Sequence, residues 1–397
     1  MFQVHPDNNL LASCDDKKAI RIWCLRSGAT VTCLMGQHTA HNITSISWGP
    51  GMLCVESTYI RPLVSTGNDG TVVFWSYDEN DKSFILEAPP KFTERTKPGD
   101  RAVQQAWSKG GRLIAVGFSD GRIRVYMILK PDSPRGVDKI AELDVHTSCV
   151  SSIEFNQMQS TKTPPALLST SFDGFAIIWR MRNRRWKVQK IDCVRETDPN
   201  ADPKKRPKVN DGIWLKNDEL ICVALVGATH QNIIKIFNSA TSDLVTTLCF
   251  HTQTIQNLKA HPKIPHVFAS SGCDGLIVIW DVLRSKKIAE VYFPSTIESG
   301  EQMSIHDIRW SSDGTKIISA DSQGHMSISG FGKDVKLSQL PDELFFETDY
   351  HPLIRDREGF VVDEQTGLTP HLQNPGMFTN SQNEPYFGRV NDDRTRR

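Results

Sequence analysis

Along this chain, short stretches of alternating apolar and polar residues return at a fixed distance from an Asp-Gly turn. The cleanest runs from Leu63 to Trp75, where Asn68-Asp69-Gly70 is followed by Thr71, Val73 and Trp75 alternating with Val72 and Phe74. A period of two predicts a strand, and an Asp-Gly turn between two such runs predicts a hairpin. The unit returns from Ser119-Asp120-Gly121 to Tyr126, from Phe172-Asp173-Gly174 to Trp179 and from Cys273-Asp274-Gly275 to Trp280, each with its Asp six residues before the aromatic. Degenerate copies end at Trp23, where Asp16 is displaced by one residue, at Phe237, where Gln231 replaces the Asp, and near Ser329, where Gln323-Gly324 stands in the turn. Seven hairpins are legible, and a repeat of this kind outranks any single-residue signal. In the first copy, 1–4 predicts an inner strand, 10–13 and 19–23 a hairpin, and 29–35 an outer strand.

Three copies contain more than a turn. Ser65, Asp69 and Trp75 recur as Ser169, Asp173 and Trp179 and as Ser270, Asp274 and Trp280, and His38, His146 and His251 precede their Asp by 31, 27 and 23 residues. These residues resemble the WD-repeat family, whose His, Ser, Asp and Trp form a hydrogen-bonded set inside each blade. The resemblance implies an all-β WD40 β-propeller with seven visible four-stranded blades. A short carboxylate accepts from turn N–H groups and imidazole, while hydroxyl and indole complete a buried network. Ser, His and Asp also suggest a nucleophilic triad, but a triad occurs once and needs an oxyanion site. Recurrence favours scaffolding, so no catalytic residue is expected.

Other chemistry is sparse. The remaining histidines, among them His230, His261, His266, His306, His325, His351 and His371, show no metal-ligand spacing, and no phosphate-cradling G-x-x-x-x-G-K motif occurs. Neither a metal nor a cofactor is expected. The nine cysteines form no C-x-x-C pair, which fits a reducing, intracellular protein. Lys plus Arg and Asp plus Glu both number 46, so any charged contact must be a local patch. The N-terminus lacks a signal-peptide pattern, and no apolar run approaches the roughly 18 residues of a spanning helix, so no membrane association is expected.

The stretch between Arg180 and Ile213 reads as an inserted loop, since Trp179 and Phe237 are 58 residues apart against 52 between Trp23 and Trp75. It contains two basic clusters. In 180–187, Trp186 invites base stacking, although direct nucleic-acid binding is the less favoured reading. In 203–209, Lys204, Lys205, Arg206 and Lys208 between prolines resemble a nuclear-localisation signal, and read equally as a solvated loop. Beyond Phe331 the alternation fades. The expected division is a propeller over 1–331, an irregular extension packed on it over 332–375 with Phe345, Phe346 and Tyr350 as anchors, and a disordered tail over 376–397. The last blade lacks an outer strand unless 335–340 supplies it.

The extension narrows the resemblance. Residues 343–356 (Glu-Leu-Phe-Phe-Glu-Thr-Asp-Tyr-His-Pro-Leu-Ile-Arg-Asp), with Val362-Asp363-Glu364-Gln365-Thr366 and Pro370-His371-Leu372, are similar to the segment after the propeller in the bromodomain and WD-repeat family, of the pleckstrin-homology-domain-interacting type. The likeness continues in 22–26, 91–95 and 321–325. It implies an eight-bladed ring, a nuclear, chromatin-associated regulator of transcription and cell shape, and a substrate receptor of a cullin-four RING ubiquitin ligase. Expected partners are chromatin components and the ligase adaptor. Adaptor docking commonly uses a W-D-x-R sequence, to which Trp23 and Arg26 come near, with Cys24 in place of Asp. The alternative is a cytoplasmic scaffold for signalling, cytoskeletal or trafficking complexes.

Overall fold

The computed structural model describes the chain except residues 1, 8–9, 15–18, 25–29, 35–37, 39–42, 52, 56–57, 79, 81–82, 86–92, 95–99, 129–136, 159–164, 184, 195–206, 228–231, 294–302, 312, 323–325, 331–344, 358–360, 369–375 and 387–397. Seven antiparallel sheets follow in chain order as the blades of a β-propeller, and no α-helix occurs among the described residues. Blade 1 holds β1 (Phe2–Val4), β2 (Leu10–Cys14), β3 (Ile20–Cys24) and β4 (Thr30–Leu34). Blade 2 holds β5 (Ile43–Trp48), β6 (Leu53–Val55), β7 (Thr58–Gly67), β8 (Val72–Asp78), β9 (Ser83–Ile85) and β10 (Thr93–Glu94). Blade 3 holds β11 (Ala102–Trp107), β12 (Leu113–Phe118), β13 (Arg122–Ile128) and β14 (Val137–Asp144). Blade 4 holds β15 (Val150–Phe155), β16 (Ala166–Ser171), β17 (Phe175–Arg182) and β18 (Arg185–Asp192). Blade 5 holds β19 (Lys208–Trp214), β20 (Leu220–Val226), β21 (Asn232–Asn238) and β22 (Leu244–Cys249). Blade 6 holds β23 (Ile255–Ala260), β24 (Val267–Gly272), β25 (Leu276–Asp281) and β26 (Lys286–Tyr292), and blade 7 holds β27 (Ile305–Trp310), β28 (Lys316–Asp321) and β29 (Met326–Gly330).

Two blades depart from four strands. Blade 2 gains β6 against β7 and β9 against β8, because both central strands run on past the blade end. The overhang is held by aromatic packing. His5 lies 4.7 Å from Trp48, Trp48 lies 5.7 Å from Tyr77, and Tyr77 lies 5.0 Å from Phe84. Blade 7 shows three strands, and 335–340 falls outside the described residues.

The apolar cores lie between blades. Leu168, Ile178 and Ile191 of blade 4 pack with Trp214, Val223 and Phe237 of blade 5, while Leu167, Ile177 and Trp179 on the opposite face join Val125 and Phe155. Alternation therefore sends successive side chains to different neighbours, and central strands such as β8 and β12 are buried along their whole length. Each aliphatic side chain so enclosed contributes about 1.5–3 kcal/mol. Outer strands β18 and β22 are instead mostly half-buried or exposed, with one buried residue each.

Compactness divides the chain into two units, Met1–Ile20 with Leu34–Gly330 and Arg21–Cys33 with Phe331–Arg397, a cut that passes through blade 1. In the second unit β30 (Phe345–Phe346) pairs with β33 (Phe378–Thr379), and β31 (Leu353–Arg355) pairs with β32 (Val361–Asp363). Phe346 stacks on Phe378 at 5.1 Å, the Tyr350 hydroxyl donates to Asn380 O at 2.9 Å, and His351 meets Asp363 at 2.7 Å. Residues 376–386, read from sequence as the start of a disordered tail, thus include a paired strand whose partner lies 33 residues upstream (Phe378 against Phe346 differs by 32, Thr379 against Phe345 by 34), a pairing that local polarity does not reveal.

Candidate functional site

In blades 4 and 6 the recurring residues assemble as one chain of hydrogen bonds. Trp280 Nε1 donates to Ser270 Oγ at 2.8 Å, Ser270 meets His251 Nε2 at 2.7 Å, and His251 Nδ1 meets Asp274 at 2.9 Å. Trp179, Ser169, His146 and Asp173 repeat this with separations of 2.9, 2.9 and 3.0 Å. Because indole occupies one serine lone pair, the hydroxyl proton goes to Nε2, and Nδ1–H donates to the carboxylate. Burial opposes ionisation of Asp274, yet the His251 contact and the N–H groups of Thr252 and Leu276 outweigh it and hold the carboxyl below its usual range. Asp173 is held low in the same way by His146, Thr147 and Phe175.

Blade 2 differs by one link. Trp75 donates to Ser65 at 2.9 Å and Ser65 meets His38 Nε2 at 2.8 Å, but Nδ1 meets Thr71 Oγ1 at 2.7 Å, and Thr71 in turn donates to Asp69 at 2.5 Å. His38 stands 3.7 Å from Asp69, and desolvation lowers its pKa despite that carboxylate. Ser65, Ser169 and Ser270 are all 0% exposed, so no substrate reaches their hydroxyls. The trios bind turns to strands.

The other sequence candidates fall elsewhere. Trp23 is half-buried in β3, while Arg26 lies outside the described residues, as do Lys204, Lys205 and Arg206. Lys208 opens β19 opposite Val226, with its ammonium 5.4 Å from the Phe172 ring. The 180–187 cluster is corrected from loop to hairpin, because it forms the end of β17 and the start of β18. Trp186, considered for base stacking, packs on the core between blades 3 and 4.

The innermost strands β1, β5, β11, β15, β19, β23 and β27 succeed one another and wall a cavity of about 840 Å³. Its lining mixes apolar residues such as Ile46, Ile153 and Ile213 with the polar Gln3, Glu154, Asp211, Lys216, Lys259 and Arg309. Six inner strands carry a bulge near their start, after the first residue in five and after the second in β19, which adds Thr44, Val103, Ser151, Asn210, Gln256 and His306. Three of these residues reach the next blade. Thr44 donates to Ala102 O at 2.5 Å, Ser151 to Val209 O at 2.7 Å and Asn210 to Ile255 O at 2.8 Å. A second ladder runs backwards. Trp107 donates to Ser47 Oγ at 2.9 Å, Trp214 to Glu154 O at 3.1 Å and Trp310 to Lys259 O at 3.0 Å. The signal was present in the sequence, since Trp48, Trp107, Trp214 and Trp310 each stand four residues after a bulge residue, but its meaning depends on the neighbouring blade.

One carboxyl in this wall is perturbed. Desolvation pushes Glu154 up to about 7, against the Trp214 N–H that its Oε2 accepts at 2.7 Å and the charge of Lys259, while Asp211 raises it further. Asp211 itself accepts from Gly212 N at 2.8 Å and from Leu258 N at 2.7 Å, tying blade 5 to blade 6. Among the described residues no group of three or more His, Cys, Asp or Glu is placed to hold a metal.

Comparison with known proteins agrees with this geometry. The model of the WD domain, G-beta repeat, matches residues 2–24, 30–76, 138–180 and 231–281. The chain carries WD40 repeats. Three of the four matched segments each contain one complete set, from His38 to Trp75, His146 to Trp179 and His251 to Trp280. The chain is 28% identical to a bromodomain and WD repeat-containing protein of Dictyostelium discoideum, over 96% of this chain and 19% of that protein. It is 24% identical to the ribosome biogenesis protein ytm1 of Aspergillus oryzae, over 80% of this chain and 66% of that one. A chain in the crystal structure of a mitotic checkpoint complex superposes with a TM-score of 0.59 at 17% identity, covering 84% of this chain and 87% of that one, which shows a shared fold. A WD40 propeller is a scaffold for protein interactions, and these repeats make this chain one.

Proposed function

We propose that this propeller is the protein-interaction platform of a chromatin-associated transcription regulator of the bromodomain and WD-repeat family, of the pleckstrin-homology-domain-interacting type, and has no catalysis of its own. The observation that carries the reading is the 28% identity to the Dictyostelium bromodomain and WD repeat-containing protein over 96% of the chain. In this reading the propeller works in the nucleus, delivered by Lys204, Lys205, Arg206 and Lys208. It serves a cullin-four RING ubiquitin ligase as substrate receptor, docking the adaptor through Trp23 and Arg26. Both proposals rest on the motif resemblances in the sequence.

Affinity purification of the chain from nuclear extract, beside an Arg26→Ala variant, tests the reading. Recovery of chromatin proteins and the cullin-four adaptor, with the adaptor lost in the variant, supports it. Recovery of neither refutes it and leaves a cytoplasmic scaffold. Ribosome assembly factors in their place would favour the relationship to ytm1 of Aspergillus oryzae, 24% identical over 80% of this chain. Deleting 204–208 is expected to abolish nuclear entry of the tagged chain, and unchanged entry removes the localisation proposal.

A further inference from the structure

The outer hairpin of blade 4 breaks a charge rule that the outer hairpins of blades 3 and 6 keep. In blade 3, Arg122 stands opposite Asp144 and Arg124 opposite Glu142, and in blade 6 Asp281 stands opposite Lys286. In blade 4, Arg180 stands opposite Lys187 and Arg182 opposite Arg185. Like charges directly opposed across a ladder repel. Among the described residues no carboxylate lies within ion-pair distance of these four cations.

Three of the four line a groove of about 800 Å³ whose other wall is Asp218, Glu219 and Asn238 to Ala240 of blade 5. Arg180 is half-buried and held in place. Its Nη2 donates to Ser239 O at 2.9 Å and its guanidinium stands 5.9 Å from the Trp214 ring. Desolvation chiefly, and then the charge of Arg182, lower its pKa, with Asp218 opposing them. The acids facing it are already engaged. Asp218 accepts from Asn156 Nδ2 at 3.0 Å and from the N–H groups of Gln157 and Met158 at 2.7 Å, and Glu219 accepts from Asn217 at 2.6 Å.

We infer that this groove between blades 4 and 5 is a docking cleft for an acidic peptide segment of a partner protein, whose carboxylates pair with Arg180, Arg182 and Lys187. Guanidinium groups favour bidentate carboxylates. The exposed Val188 in the same lining offers an apolar contact between charges. A peptide fits better than nucleic acid, because it can set its carboxylates on the basic blade 4 wall and its neutral residues toward Asp218 and Glu219 opposite, which a continuous phosphate backbone cannot do, and because Trp186 is packed on the core. The inference does not depend on the chromatin reading.

Fluorescence anisotropy of the full chain with a labelled twelve-residue peptide alternating Glu and Leu tests it. Arg182→Glu and Lys187→Glu are expected to weaken binding at least ten-fold, while Lys263→Glu, on an exposed turn of blade 6, leaves it unchanged. Absence of binding, equal loss in the Lys263 variant, or displacement of the peptide by an oligothymidylate of equal length overturns the assignment. A second readout needs no peptide. Lys187→Glu places an acid opposite Arg180 and is expected to raise the melting temperature, and a lowered or unchanged value removes the premise of unrelieved repulsion.

Discussion

Blades 4 and 6 close around a buried histidine, serine, aspartate and tryptophan, whereas blades 3 and 5 reach the same four-stranded form without them. Blade 3 has Tyr126 in place of the tryptophan, and Arg122 and Arg124 lace its outer hairpin, meeting Glu142 at 3.5 Å each. Blade 5 relies on apolar burial, with Ile221, Val223 and Trp214 fully enclosed. Burial between blades is therefore sufficient to build one. The polar network adds the positioning of loops, since it ties the turn that follows one blade to the central hairpin of the next. Fully satisfied, such a network specifies a single geometry; half satisfied, it costs more than an apolar core.

The largest effect should come from emptying a tryptophan site. Trp280→Ala is expected to cost about 3–5 kcal/mol for the cavity, with about 1–3 kcal/mol more because Ser270 and His251 lose a link in a buried chain. Phe237→Ala in blade 5 should show the first part alone. Urea unfolding of both variants measures the difference, and equal losses would dissolve the distinction between the two kinds of blade.

Next in size is the turn carboxylate. Asp274→Ala strands His251 Nδ1 and the N–H groups of Thr252 and Leu276, for an expected loss of about 1–3 kcal/mol. Asp120→Ala in blade 3 removes an acceptor from Arg122 N and a half-exposed ion pair with the Arg122 guanidinium at 3.7 Å, and should cost less than about 1 kcal/mol. Similar losses at both positions would mean that the histidine adds nothing.

Acidity sharpens the comparison further. Burial holds the pKa of His38 below 6.5, so between its folded and unfolded values the unfolded chain binds more protons. Its contribution is present above about pH 6.5 and is lost as the pH falls below it. Unfolding midpoints across that range should decline toward acid, and less steeply in His38→Gln. Glu154 behaves oppositely, because its folded value of about 7 exceeds the ordinary carboxylate value of 4.5. Stability associated with it is present at low pH and falls as the pH rises toward 7. Glu154→Gln keeps an acceptor for the Trp214 N–H and should be more stable than the parent at pH 8 but not at pH 4; a uniform shift would contradict this. The smallest effect belongs to the ion pairs of blade 3, where Arg122→Ala is expected to change stability by about 0–1 kcal/mol, and less in high salt.

The repeats were legible because each hairpin is local. Period-two alternation, an Asp-Gly turn and an aromatic six residues on identify β7–β8, β16–β17 and β24–β25 with no knowledge of what packs on them. The networks were legible for the same reason, as His, Ser, Asp and Trp recur in one order. Blade 2 shows the limit, since Thr71 read as an ordinary strand residue and became the relay between His38 and Asp69.

Sequence by itself determined the all-β class, the repeated hairpins and the residues buried within them, because turn chemistry and alternation act between residues close in the chain. Only the tertiary structure decided the remainder. It turned the 180–187 cluster from a loop into opposed strands, put Trp186 into a core, paired Phe378 with Phe346, and joined Trp214 to Glu154 across a blade boundary. The physical reason is the same in each case: these contacts join residues from different hairpins or distant segments, and neither propensity nor periodicity carries information about which side chain a neighbouring strand will bring.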